Sequence, residues 1–292
     1  MVNSHRYFPQ PGPGLLDRAG VKALAAFSLV ERLRLAYRGP LVTVRRSSDN
    51  ATLDIGAIAN TGKLNRLQLL SFCGAGNGFV TKLWDQSGSG KHITQSTTSF
   101  QPQIVSSGAL LTIGTKTPVA SFDGTDDRLT RSDALGLTGS PAMTIAAAAL
   151  IDLTDRGSAK TSWGIGSSGV TGSQRFALYM QGTLFSQDYG GSYNLFTPGL
   201  SQAARRYVQR HALNANVDTM DVRVDGVAQT RTGGSGTGAL NMLDQTLVIG
   251  GSTVTSVTEY QILKLATWIA FNSVLSGTAL STLESGLAAQ CA

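Results

Sequence analysis

Nine short apolar runs, each bounded by Gly, Asp, Asn or Pro, dominate the chain from residue 41 onward. Runs of this length favour strands, and the residues between them favour tight turns. The Asp-Gly pair at 225–226, between two valine-containing runs, predicts a hairpin. Only 14% of the residues are charged and 34 of 292 are Gly, which suits strands joined by turns better than surface helices. The predicted strands are 41–46, 79–84, 118–122, 143–151, 175–180, 206–213, 220–224, 245–250 and 260–271.

Three helices are predicted. Asp17 can cap a helix, leucines recur four residues apart after it, and Gly39-Pro40 ends it, so we predict a helix over 17–38. A shorter helix is predicted around 64–71 and a C-terminal helix over 277–290. Alternating Pro and Gly make residues 1–16 an extended arm, because proline fits neither a helix interior nor a central strand. We expect residues 17–292 to form one domain.

The charge pattern argues against several classes of protein. The net charge is +6, with 17 Arg against 7 Lys, but the charges are scattered and no nucleic-acid-binding motif is present. The first residues lack the apolar stretch of a secretory signal, and no run is long enough to span a bilayer. Three histidines without a cysteine cluster provide no zinc site. We therefore expect no cofactor, no nucleic acid and no membrane span.

The two cysteines, Cys73 and Cys291, do not make a disulfide framework. A buried free thiol is the favoured state of Cys73, and a bridge between the two remains open.

Three motifs support a resemblance to a known family. They are Leu-Val-Thr-Val-Arg-Arg-Ser-Ser-Asp-Asn-Ala-Thr-Leu-Asp-Ile-Gly at 41–56, Phe-Cys-Gly at 72–74 and Trp-Asp-Gln-Ser-Gly at 84–88. Together they resemble the catalytic β-sandwich of the family-B α-L-arabinofuranosidases. The segment Ser-Phe-Asp-Gly-Thr-Asp-Asp at 121–127 also resembles concanavalin A-like and laminin-G-like jelly rolls. The resemblance implies an all-β fold: a two-sheet antiparallel jelly-roll sandwich, here with an N-terminal helix, a C-terminal helix and an extended arm.

The resemblance also locates the two positions where that family holds its catalytic carboxylates. A retaining glycosidase needs two carboxyl groups about 5 Å apart. Gln181, in Met-Gln-Gly-Thr-Leu-Phe at 180–185, occupies the nucleophile position, and Ser252, after a Gly-Gly pair, occupies the acid/base position. An amide and a hydroxyl cannot perform those roles. We expect no hydrolysis, although Glu259 and Asp188 could build a relocated site.

Other residues are candidates for binding. Trp84, Asp85, Tyr189 and Tyr193 are candidate glycan contacts, the aromatic rings by stacking on sugar faces and Asp85 by accepting sugar hydroxyls. For Asp85 the structural alternative is that its carboxylate caps a tight turn.

The acidic group Asp123, Asp126 and Asp127 is a weak candidate for Ca²⁺. The structural alternative is an Asx-type turn whose charge is balanced by Arg128 and Arg131.

From these observations we expect a non-catalytic structural protein of a bacteriophage virion, either a head decoration or a tail component. Its expected partners are other virion proteins, further copies of itself through the arm, and a host glycan. An active arabinofuranosidase-like hydrolase and a stand-alone carbohydrate-binding module remain alternatives.

Overall fold

Strands make up most of the regular structure in the computed structural model, which describes residues 11–154, 160–167, 174–181, 184–188, 193–196, 200–235, 238–253 and 259–292. The helices are α1 (Leu15–Ala19), α2 (Arg66–Cys73) and α3 (Gly277–Cys291). The strands are β1 (Ala25–Ser28), β2 (Val42–Arg46), β3 (Thr52–Ile55), β4 (Gly78–Leu83), β5 (Ile93–Thr94), β6 (Gln103–Ser106), β7 (Ala109–Leu110), β8 (Thr112–Ile113), β9 (Thr117–Pro118), β10 (Ala120–Asp123), β11 (Leu129–Arg131), β12 (Met143–Ile151), β13 (Lys160–Gly166), β14 (Arg175–Gln181), β15 (Leu184–Asp188), β16 (Tyr193–Phe196), β17 (Ala204–His211), β18 (Asp221–Val224), β19 (Val227–Ala228), β20 (Arg231–Ser235), β21 (Thr246–Ile249) and β22 (Ile262–Phe271).

Two antiparallel sheets pack against each other, which confirms the predicted sandwich. The first sheet runs β19-β18-β17-β12-β22, and β22 pairs along its other edge with both β1 and β10. The second runs β20-β16-β15-β14-β13-β21-β11. A further group of strands connects β11 to β10: β11 pairs with β5, β5 with β4, β4 with β6, and β6 with β10. Strand β4 also pairs with β2, which pairs with β3.

The central strand β12 is buried on both faces. Ile145 and Ala147 lie in the core between the sheets, whereas Ala146 and Ala148 face the second apolar cluster, which includes residues of α1 and α3. Burial on both sides explains the continuous apolar run of this strand. The small alanine side chains allow a helix to approach the sheet closely.

The C-terminal helix was predicted over 277–290 and is confirmed as α3. Its Leu280, Leu283 and Leu287 are buried in the cluster that covers the first sheet. Helix α1 packs so tightly on it that a Cβ added at Gly286 would lie 2.3 Å from a methyl carbon of Leu15. Both cysteines are free thiols, with Cys291 at the end of this helix.

The predicted helix over 17–38 is wrong. Only Leu15–Ala19 is helical, and Ala25–Ser28 is a fully buried strand paired with residues 267–270 of β22. The leucine spacing and alanine content favour a helix locally. However, an open edge of β22 provides backbone partners and burial that an isolated helix would lack, so tertiary pairing overrides propensity.

The N-terminal arm also needs correction. Leu15 and Leu16, placed in the arm by the prediction over 1–16, are buried residues of α1. Residues 1–10 lie outside the described residues. The shorter helix predicted at 64–71 is α2, shifted by two residues.

The predicted hairpin at 225–226 is confirmed. Asp225 and Gly226 have φ values of 52° and 82° and join β18 to β19. Positive φ at both central residues is the signature of a type I′ turn, which matches the twist of the flanking strands.

An ion pair fastens α3 to the edge of the first sheet, and its loss should be measurable. Arg223 of β18 donates from Nε to Glu284 at 2.7 Å, and the Glu284 side chain is only 9% exposed. Glu284→Gln should lower the free energy of unfolding by about 2 kcal/mol in urea denaturation, because it leaves the guanidinium without its charged partner. Asp49→Asn, in the exposed Arg46–Asp49 pair, should leave stability unchanged. Equal effects of the two variants would contradict this account.

Candidate functional site

Two adjacent buried side chains, Asp85 and Gln86, attach the N-terminal segment to the domain. Asp85 Oδ1 accepts from the backbone N–H of Ala26 at 2.9 Å. Gln86 Oε1 accepts from Leu33 N–H at 2.8 Å, and its Nε2 donates to the Ser28 carbonyl at 3.0 Å. Gln86 is fully buried, so these bonds satisfy groups that water cannot reach. Sequence reasoning did not identify this role for Gln86, since no local pattern indicates a partner 53 residues away.

The rest of the Asp85 carboxylate is bonded within its own loop. It accepts from Ser87 N–H at 2.9 Å, from Ser87 Oγ at 2.8 Å and from Lys91 N–H at 3.0 Å. Its own N–H donates to Nδ1 of His92 at 2.9 Å. With 2% of its surface exposed, Asp85 fits the structural alternative better than a sugar contact.

Trp84 is half-buried, and its ring is already in use. Lys82 Nζ lies 3.4 Å from the ring centroid, and Nε1 donates to Thr43 Oγ1 at 2.8 Å. His92 packs edge-on with centroids 4.6 Å apart. A sugar stacking on Trp84 would therefore compete with the Lys82 ammonium for one ring face.

The other candidate positions fall around β14 to β16. Gln181 is the last residue of β14, and its backbone pairs with Leu184. Asp188 pairs with Ala177 and with Tyr193, the first residue of β16. Tyr189 lies outside the described residues. As glycan contacts, Tyr189 and Tyr193 stay predictions.

Ser252 follows a Gly-Gly pair that packing requires. Gly250 has φ 93°, and a Cβ there would lie 2.3 Å from the Phe122 ring. A Cβ at Gly251 would lie 2.9 Å from the Tyr260 ring. The chain then brings Ser252 to Arg175, whose Nη1 donates to Ser252 Oγ at 2.9 Å. The Ser252 hydroxyl thus lies against the guanidinium of Arg175. Sequence reasoning did not single out Arg175.

A second group of polar side chains lies around β13, beside this loop. Thr161 of β13 donates from Oγ1 to Glu259 Oε2 at 2.8 Å. Tyr260 forms a parallel bridge with Thr161, and its hydroxyl accepts from Arg128 Nη1 at 3.0 Å. The Arg128 guanidinium also lies 3.9 Å from the centroid of Phe100. Hydroxyls, a carboxylate and aromatic rings of this kind are groups that bind sugars.

The acidic turn brings Asp123, Asp126 and Asp127 together, with one carboxylate oxygen of each within 4.8 Å of the others. Asp123 Oδ1 accepts from the N–H of Thr125 at 2.8 Å, as in an Asx turn, and Asp127 Oδ2 accepts from Asp123 N–H at 3.0 Å. Burial raises the pKa of Asp127 to about 7, and the charge of Asp123 adds to the shift. The predicted Asx turn is present, but Arg131 pairs with Asp133 instead of this turn, and Arg128 donates to the Asp126 carbonyl and the Tyr260 hydroxyl rather than to a carboxylate.

Comparisons with known proteins locate the resemblance. Residues 15–119 match the family described as "Alpha-L-arabinofuranosidase B, catalytic". The chain is 40% identical over 81 residues to a probable α-L-arabinofuranosidase B of Aspergillus fumigatus and 39% identical over 81 residues to an α-L-arabinofuranosidase of Hypocrea jecorina. It is similar to the catalytic domain of α-L-arabinofuranosidase B. Each alignment covers 28% of this chain and 16% of the relative, about a sixth of its length.

Solved arabinofuranosidase structures share the fold over almost the whole chain. One, in complex with arabinofuranosyl-α-1,2-xylobiose, superposes with a TM-score of 0.76 over 95% of this chain and 64% of its own, at 18% identity. Another is a Glu-to-Gln variant of a GH54 α-L-arabinofuranosidase soaked with 4-nitrophenyl α-L-arabinofuranoside, with a TM-score of 0.75 and 16% identity over the same shares of the two chains. The matched family segment, 15–119, contains Asp85 and Gln86 but neither Gln181 nor Ser252. No helix in the described part of the chain is long and apolar enough to cross a membrane.

The raised pKa of Asp127 predicts a pH-dependent stability. Between about pH 4 and pH 7 the folded chain holds a proton on Asp127 that the unfolded chain has released, so stability falls as pH rises through this range. Asp127→Asn should match the wild type near pH 4 and exceed it by about 2–4 kcal/mol above pH 7. Urea denaturation across this range tests the difference.

Asp133→Asn is a control whose effect on the free energy of unfolding should have the opposite sign. The hydrogen bond from Arg131 lowers the pKa of Asp133, so its removal should weaken the fold once the pH lies above the usual aspartate range. A flat difference between the wild type and Asp127→Asn would show that Asp127 titrates normally.

The four hydrogen bonds to Asp85 predict a structural cost. Asp85→Ala should lower the free energy of unfolding by about 3 kcal/mol, because it leaves buried N–H groups without acceptors. Asp54→Ala removes an exposed carboxylate that accepts one hydrogen bond from Thr43, and it should have a far smaller effect. If Asp85→Ala were as stable as the wild type, the structural role would be wrong.

Proposed function

We propose that this chain recognises α-L-arabinofuranosyl groups of glycans without hydrolysing them. The observation that carries the proposal is the environment of Ser252, whose position follows the packed Gly250-Gly251 pair and whose hydroxyl lies against Arg175. A serine hydroxyl does not act as a general acid near neutral pH, so the family's proton donor has no equivalent there. The arabinose specificity comes from the relatives' names and is part of the proposal.

The polar side chains near Ser252 support sugar binding. Glu259 and Tyr260 provide a carboxylate and a hydroxyl beside β13, where the buried Thr161 hydroxyl holds the Glu259 carboxylate. Sugar hydroxyls both donate and accept, so they can replace or extend such bonds. Tyr260 adds an aromatic ring, which suits the apolar face of a sugar.

Hydrolysis by relocated carboxylates is the second candidate function. The favouring observation is that a carboxylate oxygen of Asp127, whose pKa is raised to about 7, lies within 4.8 Å of one of Asp126, while the backbone carbonyl of Asp127 lies beside Gly250. A proton-bearing carboxyl near neutral pH, with a second carboxyl about 5 Å away, is what a retaining glycosidase uses. The similarity of residues 15–119 to a catalytic domain adds weight.

Placement of the chain in a bacteriophage particle is a separate proposal. Its support is that the Ser-Ser-Asp-Asn-Ala-Thr motif at 47–52 and the Trp-Asp-Gln-Ser-Gly motif at 84–88 resemble motifs of phage particle proteins, together with the Pro/Gly-rich segment near the N-terminus. Glycan recognition is compatible with that location, since it would attach a particle to a host surface.

Activity and binding assays separate these proposals. The wild type should release no nitrophenol from 4-nitrophenyl α-L-arabinofuranoside, yet it should be retarded in native gels that contain arabinan. Tyr260→Ala should reduce the retardation, whereas Leu67→Ala, at an exposed site on α2, should not. Wild-type turnover that Asp127→Asn abolishes would instead establish the second candidate function.

A gain-of-function pair tests the origin of the site. Gln181→Glu with Ser252→Asp restores both carboxylates that the resemblance implies, so measurable hydrolysis should appear. Gln68→Glu with Ser281→Asp adds the same charges at exposed positions and should stay inactive. Absence of both wild-type turnover and arabinan retardation would overturn the proposed function.

A further inference from the structure

The segment between β1 and β2 holds a buried cation without a counter-ion. Arg32 is only 8% exposed, and among the described residues it has no carboxylate within ion-pairing distance. The one acidic side chain nearby in sequence, Glu31, is paired with Lys63. Residues 1–10, which lie outside the described part of the chain, contain no Asp or Glu.

Little else compensates the Arg32 charge. From the guanidinium, Nη2 donates to the Ala59 carbonyl at 3.3 Å. The backbone N–H of Arg32 donates to the Gly62 carbonyl at 2.8 Å, which fixes the chain but does not neutralise the side chain. Burial lowers the pKa of Arg32, and the charge of Arg38 lowers it further. A buried charge is unfavourable unless it is paired, so this arrangement destabilises the folded chain.

Arg32 lines a cavity of about 290 Å³. The lining residues are Arg32, Tyr37, Arg38, Gly39, Ala57 and Ala59. Arg38 Nη1 is held by the carbonyls of Leu35 and Tyr37. The Tyr37 hydroxyl donates to the Pro40 carbonyl at 2.5 Å, so it is already bonded. Two guanidinium groups therefore share one small cavity with Tyr37, Gly39, Ala57 and Ala59.

We propose that this cavity binds an oxyanion, namely the carboxylate of a uronic-acid residue in an acidic glycan. Guanidinium groups bind carboxylates through paired N–H donors, and the second arginine increases the attraction. The volume suits one sugar ring rather than a larger ligand. Ala57 and Ala59 line the same cavity, and their methyl groups suit the C–H face of that ring. This site lies outside the Ser252 region and does not depend on the function proposed there.

Thermal unfolding of the whole chain with defined probes tests the proposal. Sodium galacturonate should raise the melting temperature along a saturable curve, whereas galactose with matched sodium chloride should not. Inorganic phosphate, which offers the same oxyanion chemistry without a sugar, is the second probe. A saturable response to phosphate and none to galacturonate would overturn the uronate assignment.

Variants at the cavity identify where the ligand binds. Arg32→Gln should raise the dissociation constant for galacturonate at least tenfold, and in its absence should melt at or above the wild-type temperature, since it removes an uncompensated buried charge. Arg38→Gln tests the same cavity at an exposed position, in case Arg32→Gln does not fold. Arg66→Gln removes an equal charge outside the cavity and should bind as the wild type does. Identical binding by the wild type and both cavity variants, or no saturable binding by the wild type, would overturn the proposal.

Discussion

The N-terminal segment 25–33 depends on hydrogen bonds from Asp85 and Gln86. Strand β1 pairs with β22 along one edge only, so buried N–H and C=O groups on its other edge and in the residues after it need acceptors and donors from elsewhere. Two side chains from a loop 53 to 59 residues later supply them at 2.8–3.0 Å. Because unmet buried polar groups are costly, this contact determines the path of the segment. The family-like motif at 84–88 thus has a structural role.

This attachment affects the whole first sheet. Once β1 occupies the edge of β22, helices α1 and α3 can cover the back of β12 and β22, and both faces of these strands are buried. The polar groups of the candidate site then lie with the second sheet, at Thr161, Arg175 and Ser252. Packing also explains the Gly-Gly pair before Ser252, since neither position has room for a Cβ. The loop geometry is therefore maintained whatever residue follows the pair.

Charge is distributed in two different ways in this molecule. Arg223 and Glu284 form a partly buried pair that joins α3 to the sheet, and Arg128 packs on Phe100 and Tyr260. Arg32 has neither a carboxylate nor an aromatic partner among the described residues, which distinguishes it from these structural arginines. Many of the arginines therefore have structural partners, whereas the proposed partner of Arg32 is an external anion.

Strands β13, β15 and β16 of the second sheet were not among the predicted runs, whereas nine of the strands, the Asp-Gly turn and the C-terminal helix were predictable from the sequence. Their signals are local: apolar runs bounded by Gly, Asp and Asn, an Asp-Gly turn, and the apolar spacing of 277–290. The segment 17–38 was not predictable, because its leucine and alanine pattern favours a helix while the open edge of β22 makes Ala25–Ser28 a strand. The residue types at 181 and 252 followed from the sequence alone. Only the tertiary structure decided that Arg175 lies against Ser252 and that Arg32 has no counter-ion among the described residues, since both facts depend on residues brought together from distant parts of the chain.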